Sequence, residues 1–253
     1  MSLKGEITKL VWRICGTSHL EKQQRQLNQE IENISRIQWE LYQATRFHDS
    51  IIDSPWLRYK SFSLGGWAAD YGLMYTIFRT LNAMRPMNIL EFGLGQTSKM
   101  VHQYAKYFNA NAITCEHDEK WVEFFNKSKD GDYPVNVQLM NLQTIQYKGY
   151  DTLTYEDCSG VFSNQQFELI LVDGPFGSDH FSRSQIIDLA KKNLAPHFCI
   201  IIDDYERPGE QETMNEVQNV LKEDNIHFCC RIYSAEKEHM LICSPDLDFL
   251  TTL

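Results

Sequence analysis

The chain has 253 residues, 43% of them apolar, which is enough for one large domain with a helical extension. Its formal net charge of −10 disfavours binding to a phosphate backbone, so we expect no nucleic-acid partner. No apolar stretch reaches the ~18 residues of a membrane-spanning helix, and the N-terminus lacks a secretory signal. The cysteines show no Cys-x-x-Cys spacing and lie mostly in apolar, strand-like runs. We therefore expect a cytoplasmic protein without a membrane association.

A polar segment without glycine or proline, residues 19–48, is predicted to be a helix. Its apolar residues recur at intervals typical of an amphipathic, coiled-coil-like helix: Leu20, Leu27, Ile31, Ile34 and Leu41. Such a helix either packs on its own domain as a cap or pairs with a second subunit in a homo-oligomer, and the sequence leaves both open. We therefore divide the chain into an N-terminal helical extension, residues 1–64, and a main domain, residues 65–253.

Helix-like and strand-like segments alternate after a connector at residues 49–66, which contains a Gly65-Gly66 hinge. A helix is predicted from Trp67 to Met84, where Pro86 follows. Strands are predicted at 88–92, 112–116, 135–140, 167–172 and 198–202, with helices near 97–108, 118–128, 182–193 and 209–223. Residues 141–165 show no clear pattern.

Two further strands, 226–233 and 239–243, are joined by a short turn and close the chain as a hairpin. The last strand must then run antiparallel to its neighbour. The pattern as a whole predicts an α/β protein with a Rossmann-like, doubly wound sheet of seven strands, the last antiparallel, plus the N-terminal helical extension.

A glycine-rich turn follows the first predicted strand, in the segment Glu91-Phe92-Gly93-Leu94-Gly95-Gln96-Thr97-Ser98. Glycines at this position permit a tight turn and let a ligand approach the backbone, while the next helix directs free N–H groups at it. A diphosphate suits such a place, and so does the carboxylate of an amino-acid-like cofactor.

An acidic residue, Glu116, ends the second predicted strand, 21 residues after Gly95. A carboxylate at this position can accept hydrogen bonds from ribose hydroxyls. The alternative is an ordinary solvated acid at the end of a strand.

Three motifs together resemble the Rossmann-fold (class I) S-adenosylmethionine-dependent methyltransferases over roughly residues 65–245: Glu-x-Gly-x-Gly at 91–95, Glu116-His117-Asp118, and Val172-Asp173-Gly174-Pro175. The resemblance implies S-adenosylmethionine as the cofactor. It also implies the residues that bind it: Glu91, Phe92, Gly93, Gly95, Thr97, Ser98, Glu116, His117 and Asp173. Thr97 replaces the third glycine of the usual family motif, and its hydroxyl and that of Ser98 are suited to replace a backbone contact.

Acidic residues follow the fourth and fifth predicted strands, Asp173 after one and Asp203 and Asp204 after the other. Carboxylates at one sheet edge raise each other's pKa, and a hard divalent cation, Mg²⁺ or Mn²⁺, removes that repulsion. The spacing resembles cation-dependent O-methyltransferases of the catechol type, which implies a metal held by all three residues. The runs at 173–183 and 203–207 also resemble glucuronoxylan methyltransferases. Alternatively, the pair caps the following helix or binds Arg183 or Arg207.

The candidate catalytic residues are Asp173, His180 and Asp203. His180 lies in a loop and has the pKa range of a general base, although a loop histidine is also often merely solvated. The resulting hypothesis is methyl transfer to a hydroxyl of a small-molecule or saccharide acceptor.

Two other functional classes remain open. An NAD-dependent oxidoreductase shares the glycine-rich turn and the acid, but the Tyr-x-x-x-Lys match from Tyr233 to Lys237 falls in the predicted hairpin instead of on a helix. A non-catalytic protein could keep the same fold for assembly through residues 19–48.

Overall fold

A computed structural model of the chain describes the backbone of residues 3–252, together with the side chains of Ile7, Leu10, Val11 and residues 19–252. The first element is α1, Leu3–Ile51, a continuous helix that includes the predicted segment 19–48. Its last turns pack on the domain, where Gln43, Phe47 and Ile51 are buried. Among the described residues, no helix combines the length and apolar character needed to cross a membrane.

The second helix, α2, spans Tyr71–Met84 and begins four residues later than predicted. Asp70 sets this start, because its carboxylate accepts a hydrogen bond from the backbone N–H of Leu73 at 2.7 Å and caps the helix. Trp67 therefore lies in the connector, where its side chain is 95% exposed.

The described part of the chain forms nine strands: β1 Asn88–Phe92, β2 Asn111–Glu116, β3 Val137–Leu139, β4 Leu142–Tyr147, β5 Tyr150–Tyr155, β6 Phe167–Val172, β7 Leu194–Ile202, β8 Cys229–Ser234 and β9 Glu238–Cys243. Seven of these form the central sheet, in the order β3-β2-β1-β6-β7-β9-β8. Neighbours from β3 to β7 pair in parallel, and β9 pairs antiparallel with both β7 and β8, as the closing hairpin predicted.

Helices cover both faces of the sheet, because successive strand residues point to opposite sides and both sides are apolar. In β6, Leu169 and Leu171 join a core with α2 and the end of α1, whereas Ile170 and Val172 join a second core. The remaining helices are α3 Gln96–Phe108, α4 Glu119–Ser128, α5 Cys158–Val161, α6 Gln185–Lys192 and α7 Pro208–Glu223, followed by a 3₁₀ segment, Pro245–Thr252.

The two strands β4 and β5 form a separate antiparallel hairpin in the region that showed no sequence pattern. This hairpin holds the loop that follows β6. The Thr152 hydroxyl donates to the Phe181 carbonyl at 2.8 Å, and the Leu153 N–H donates to the Ser178 hydroxyl at 2.9 Å. The hairpin thereby positions residues 174–184 at the carboxyl edge of the sheet.

Candidate functional site

The turn after β1 packs directly against the turn after β6. Gly93 has a positive φ of 93°, and a Cβ added to it would lie 2.5 Å from the backbone oxygen of Asp173. No side chain fits there, so glycine is required both for the conformation and for the close approach. Gly95, in contrast, has no heavy atom within 4 Å of an added Cβ, so the space in front of the turn is open.

The Glu116 carboxylate reaches the glycine-rich turn from the end of β2. Its Oε2 accepts from the Leu94 N–H at 3.1 Å, and its Oε1 accepts from the N–H groups of His117 at 2.7 Å and Asp118 at 3.0 Å. The side chain is 7% exposed. Three backbone donors thus fix the carboxylate against the glycine-rich turn.

The predicted cofactor residues Glu91, Thr97 and Ser98 stabilise this turn through hydrogen bonds of their side chains. The buried Glu91 carboxylate accepts from the Thr97 and Thr114 hydroxyls, both at 2.6 Å. Burial raises the pKa of Glu91 to about 7. The Ser98 hydroxyl accepts from the Gly95 N–H at 3.0 Å and so caps α3. These side chains bind one another, which holds the backbone of the turn in one conformation.

Phe92 contributes its backbone rather than its side chain to the site. Its ring is buried and stacks on Tyr155, with ring centroids 5.5 Å apart. The Phe92 carbonyl accepts from the Asp173 N–H at 2.9 Å, which links the ends of β1 and β6.

Aromatic side chains lie close to the glycine-rich turn and the segment that follows Glu116. The Trp121 indole N–H donates to the Leu94 carbonyl at 2.7 Å, while the ring remains 40% exposed. The His117 ring lies edge-on to Phe176, with centroids 5.1 Å apart, and Phe176 is 60% exposed. Sequence reasoning named His117 but missed Trp121 and Phe176, although both follow closely after the motif acids.

The acidic cluster, which we define as Asp173, Asp203 and Asp204, forms as the sequence predicted. Ligand-type oxygens of the three residues lie within 4.8 Å of one another. Asp203 and Asp204 are almost completely buried, whereas the Asp173 side chain is 30% exposed. Burial raises the pKa of both Asp173 and Asp203. Asp173 is therefore the member of the cluster most accessible to solvent.

Basic side chains bind the acidic cluster. The buried Arg183 guanidinium lies 2.8 Å from Asp204 and 3.4 Å from Asp173, and it also donates to the Asp203 carbonyl at 3.0 Å. Arg207 lies 3.0 Å from Asp204. Burial tends to raise the pKa of Asp204, but the neighbouring cations lower it overall. The ion-pair alternative for Asp204 is thus present in the structure.

Lys237, in the turn between β8 and β9, contacts the acidic cluster, whereas sequence reasoning named it only in the Tyr-x-x-x-Lys match. Its ammonium lies 3.4 Å from Asp203 Oδ2 and 3.2 Å from Asp204 Oδ1, and only 14% of the side chain is exposed. Burial tends to lower its pKa, but the surrounding carboxylates raise it, so the lysine stays charged. The predicted closing hairpin was the sequence feature that could have indicated this contact. Because β9 pairs antiparallel with β7, the turn before β9 lies at the carboxyl end of β7.

The acidic cluster does not fit a divalent cation with these side chains in place. Its three carboxylates face three cationic side chains, Arg183, Arg207 and Lys237, and the Lys237 ammonium lies between Asp203 and Asp204. Glu210 adds a fourth buried carboxylate 3.8 Å from Arg183. Burial raises the pKa of both Asp203 and Glu210, which favours their neutral forms and lowers the negative charge of this region.

His180 lies in the loop after β6 and binds away from the acidic cluster. Its Nδ1 is 3.0 Å from Glu212 Oε1, and its ring stacks on Tyr150 with centroids 3.9 Å apart. The structure therefore joins Asp173, Asp203 and Asp204 but gives His180 a different set of partners.

The strand order, the antiparallel β9 and the glycine-rich turn opposite Glu116 define a Rossmann-like α/β fold. No family model matches the chain, and neither does any curated protein. Solved structures similar to it include an SAH-bound methyltransferase from Podospora anserina, with a TM-score of 0.46 and 16% identity, covering 82% of this chain and 86% of that one.

Two other similar structures are a methyltransferase from Pyrococcus furiosus and a precorrin-6y C5,15-methyltransferase from Geobacter metallireducens. The first has a TM-score of 0.40 and 16% identity, covering 80% of this chain and 96% of that one. The second has a TM-score of 0.44 and 11% identity, covering 72% of this chain and 93% of that one. Because these similarities are remote, the function of this chain has to be inferred from its own site.

Proposed function

We propose that this chain is an S-adenosylmethionine-dependent methyltransferase. The observation that supports this most strongly is the convergence of Glu116 and the glycine-rich turn, where Glu116 Oε2 lies 3.1 Å from the Leu94 N–H beside an open space. The N-terminus of α3 adds free N–H groups suited to a carboxylate. When bound, the cofactor supplies a methyl group that its sulfonium already activates.

The protein residues bind and orient the cofactor in this proposal. Glu116 Oε1 accepts from two backbone N–H groups and also lies 2.8 Å from His117 Nδ1. Oε2 accepts only from the Leu94 N–H, so it keeps an acceptor position for a ribose hydroxyl. Trp121 and Phe176 offer exposed ring surface beside it for the adenine base. The free N–H groups in the first turn of α3 face the methionyl carboxylate.

We further propose that the acceptor is a hydroxyl of a small molecule or saccharide, and that Asp173 receives its proton. Asp173 is the exposed member of the acidic cluster, and burial raises its pKa, which makes the carboxylate more basic. Alignment of the acceptor oxygen with the methyl group supplies most of the acceleration, ~7–11 kcal/mol in favourable cases. His180 is the alternative proton acceptor.

The first test compares ligands by thermal unfolding. We expect S-adenosylhomocysteine at about 100 times its Kd to stabilise the protein by ~2.7 kcal/mol, and NAD to leave the melting temperature unchanged. Glu116→Gln should weaken S-adenosylhomocysteine binding about tenfold or more, as measured by calorimetry. Glu119→Gln, three residues away and exposed, is the matched control and should bind as the wild type does.

Each other outcome of this test favours a different class of protein. Stabilisation by NAD alone would indicate an oxidoreductase, and stabilisation by neither ligand would indicate a non-catalytic assembly protein. Unchanged affinity in Glu116→Gln would remove the ribose assignment even if the cofactor binds.

The second test addresses the metal and the proton acceptor, with methyl transfer to a panel of phenols, alcohols and sugars as the readout. We propose a metal-independent reaction in which Lys237 supplies the fixed positive charge, so EDTA should leave activity unchanged. Lys237→Met should lower kcat at least tenfold, and Lys237→Arg should retain more activity. Loss of activity in EDTA with recovery in Mg²⁺ or Mn²⁺ would contradict this proposal.

The same assay distinguishes the two proton acceptors. Asp173→Asn should reduce kcat by about a hundredfold or more, whereas His180→Ala should change it less than threefold. The reverse result would assign the proton to His180.

A further inference from the structure

The helix α1 projects apolar side chains into solvent over most of its described length. Leu20, Leu27, Ile31, Ile34 and Leu41 are between 50% and 67% exposed. The free energy of such exposure is unfavourable for a helix that stands alone, because helical stability in proteins comes largely from packing of the apolar face. We call this set of residues, together with Gln24 and Gln38, the α1 stripe.

The spacing of the α1 stripe is that of a heptad repeat. Leu20, Leu27, Ile34 and Leu41 recur every seven residues and take the d positions, and Gln24, Ile31 and Gln38 take the a positions. The repeat spans three heptads, or about 33 Å of helix at 1.5 Å per residue. A period of 3.5 residues is satisfied by another helix that carries the same period, rather than by a flat surface.

The α1 stripe faces away from the domain that carries the candidate site. Leu41 is 67% exposed in the same turns in which Gln43, Phe47 and Ile51 are buried. At 100° per residue, Leu41 and Phe47 point about 120° apart. A second helix can therefore cover the stripe without displacing the contacts between α1 and the rest of the chain.

We infer that the partner is a second copy of this chain, bound through α1 as a parallel, in-register, two-stranded coiled coil. Three of the four d residues are leucine, the exception being Ile34, and leucine at d with β-branched Ile31 at a favours two strands. Polar side chains at a specify register. In a parallel, in-register pair, identical positions of the two helices face each other, so Gln24 and Gln38 each lie opposite the same residue of the second copy. In an antiparallel pair they would lie opposite isoleucine or leucine side chains.

The flanking positions also fit a parallel pair of identical helices. A residue at g then faces the residue five positions later in the partner helix. The resulting pairs are Gln23 with Asn28, Glu30 with Ser35, and Ile37 with Tyr42, and none brings like charges together. The last pair accounts for two further exposed apolar side chains, since Ile37 is 68% and Tyr42 50% exposed.

Sedimentation equilibrium of the full chain at 1–50 μM tests the inference. We expect a dimer, and we expect the double variant Leu27→Glu with Ile31→Glu to be monomeric. The double variant Gln29→Glu with Asn33→Glu adds the same charges to the opposite side of the helix and should remain dimeric. Unchanged thermal unfolding of the domain in both variants shows that they fold.

Disulfide formation in Leu20→Cys tests the orientation, with the wild type as background because Cys230 is exposed. Position 20 meets its own copy only in the parallel arrangement, so we expect a covalent dimer above background. A monomeric wild type, or a dimer that survives Leu27→Glu with Ile31→Glu, would overturn the coiled coil. A dimer without the Leu20→Cys crosslink would overturn its parallel orientation.

Discussion

Glu91 is a buried carboxyl group whose ionisation should make the stability of the domain depend on pH. Burial raises its pKa from 4.5 to about 7, although the Thr97 and Thr114 hydroxyls partly offset this effect. The folded state therefore binds the proton more tightly than the unfolded state. The resulting stabilisation is fully present below pH 4.5 and is lost as the pH rises through 7, by on the order of 3 kcal/mol.

The prediction for Glu91→Gln follows from this decrease in stability with rising pH. Between pH 5 and pH 8 the variant should gain stability relative to the wild type, by up to about 3 kcal/mol, because an amide has no charge to bury. Urea unfolding at both pH values measures the difference. Thr97→Val should move the pH window upward, since it removes a donor to the carboxylate. A difference between wild type and Glu91→Gln that is independent of pH would contradict the prediction.

The sequence identified residues of the site where local geometry alone brings them together. Gly93 and Gly95 follow one strand, Glu116 ends its neighbour, and parallel pairing places these ends side by side. The contact of Lys237 with the acidic cluster was not predicted, because it depends on how a distant hairpin pairs with β7. Trp121 was missed for a similar reason, since its contact with the Leu94 carbonyl requires the packing angle of α4.

At the scale of elements, the predictable strands are those buried on both faces. Continuous apolar runs such as Phe167–Val172 mark central parallel strands, and that strand was predicted with its observed bounds. The β4–β5 hairpin was not recognised, because Leu142–Tyr147 is half-buried and its polar and apolar residues alternate only weakly. Its turn, Lys148-Gly149, has positive φ at both residues, which is a feature of type I′ hairpin turns.

Helix ends depended on capping contacts that composition does not reveal. A helix starting at Trp67 satisfies propensity, but the Asp70 side chain binds the Leu73 N–H and moves the start to Tyr71. The second oxygen of Asp70 accepts from the Lys237 N–H at 2.9 Å. One buried carboxylate thus fixes both the start of α2 and the turn that brings Lys237 to the acidic cluster.

At the scale of the whole molecule, the end of α1 belongs to the core of the domain while its remainder projects from it. Phe47, Ile51, Trp56 and Leu57 are each at most 3% exposed and lie in the same apolar cluster as α2. We therefore expect the independently folding unit to begin near Trp39, earlier than the boundary at residue 65 that the sequence predicted.

Two truncations test where this unit begins. A chain of residues 39–253 should unfold cooperatively, bind S-adenosylhomocysteine with wild-type affinity and be monomeric, because it lacks most of the α1 stripe. A chain of residues 65–253 should not fold, because truncating each large core side chain costs ~2–5 kcal/mol and four are lost, against a total stability of ~5–15 kcal/mol. Circular dichroism during heating measures whether each of the two truncated chains unfolds cooperatively. Cooperative unfolding of the 65–253 chain would support the predicted domain boundary at residue 65.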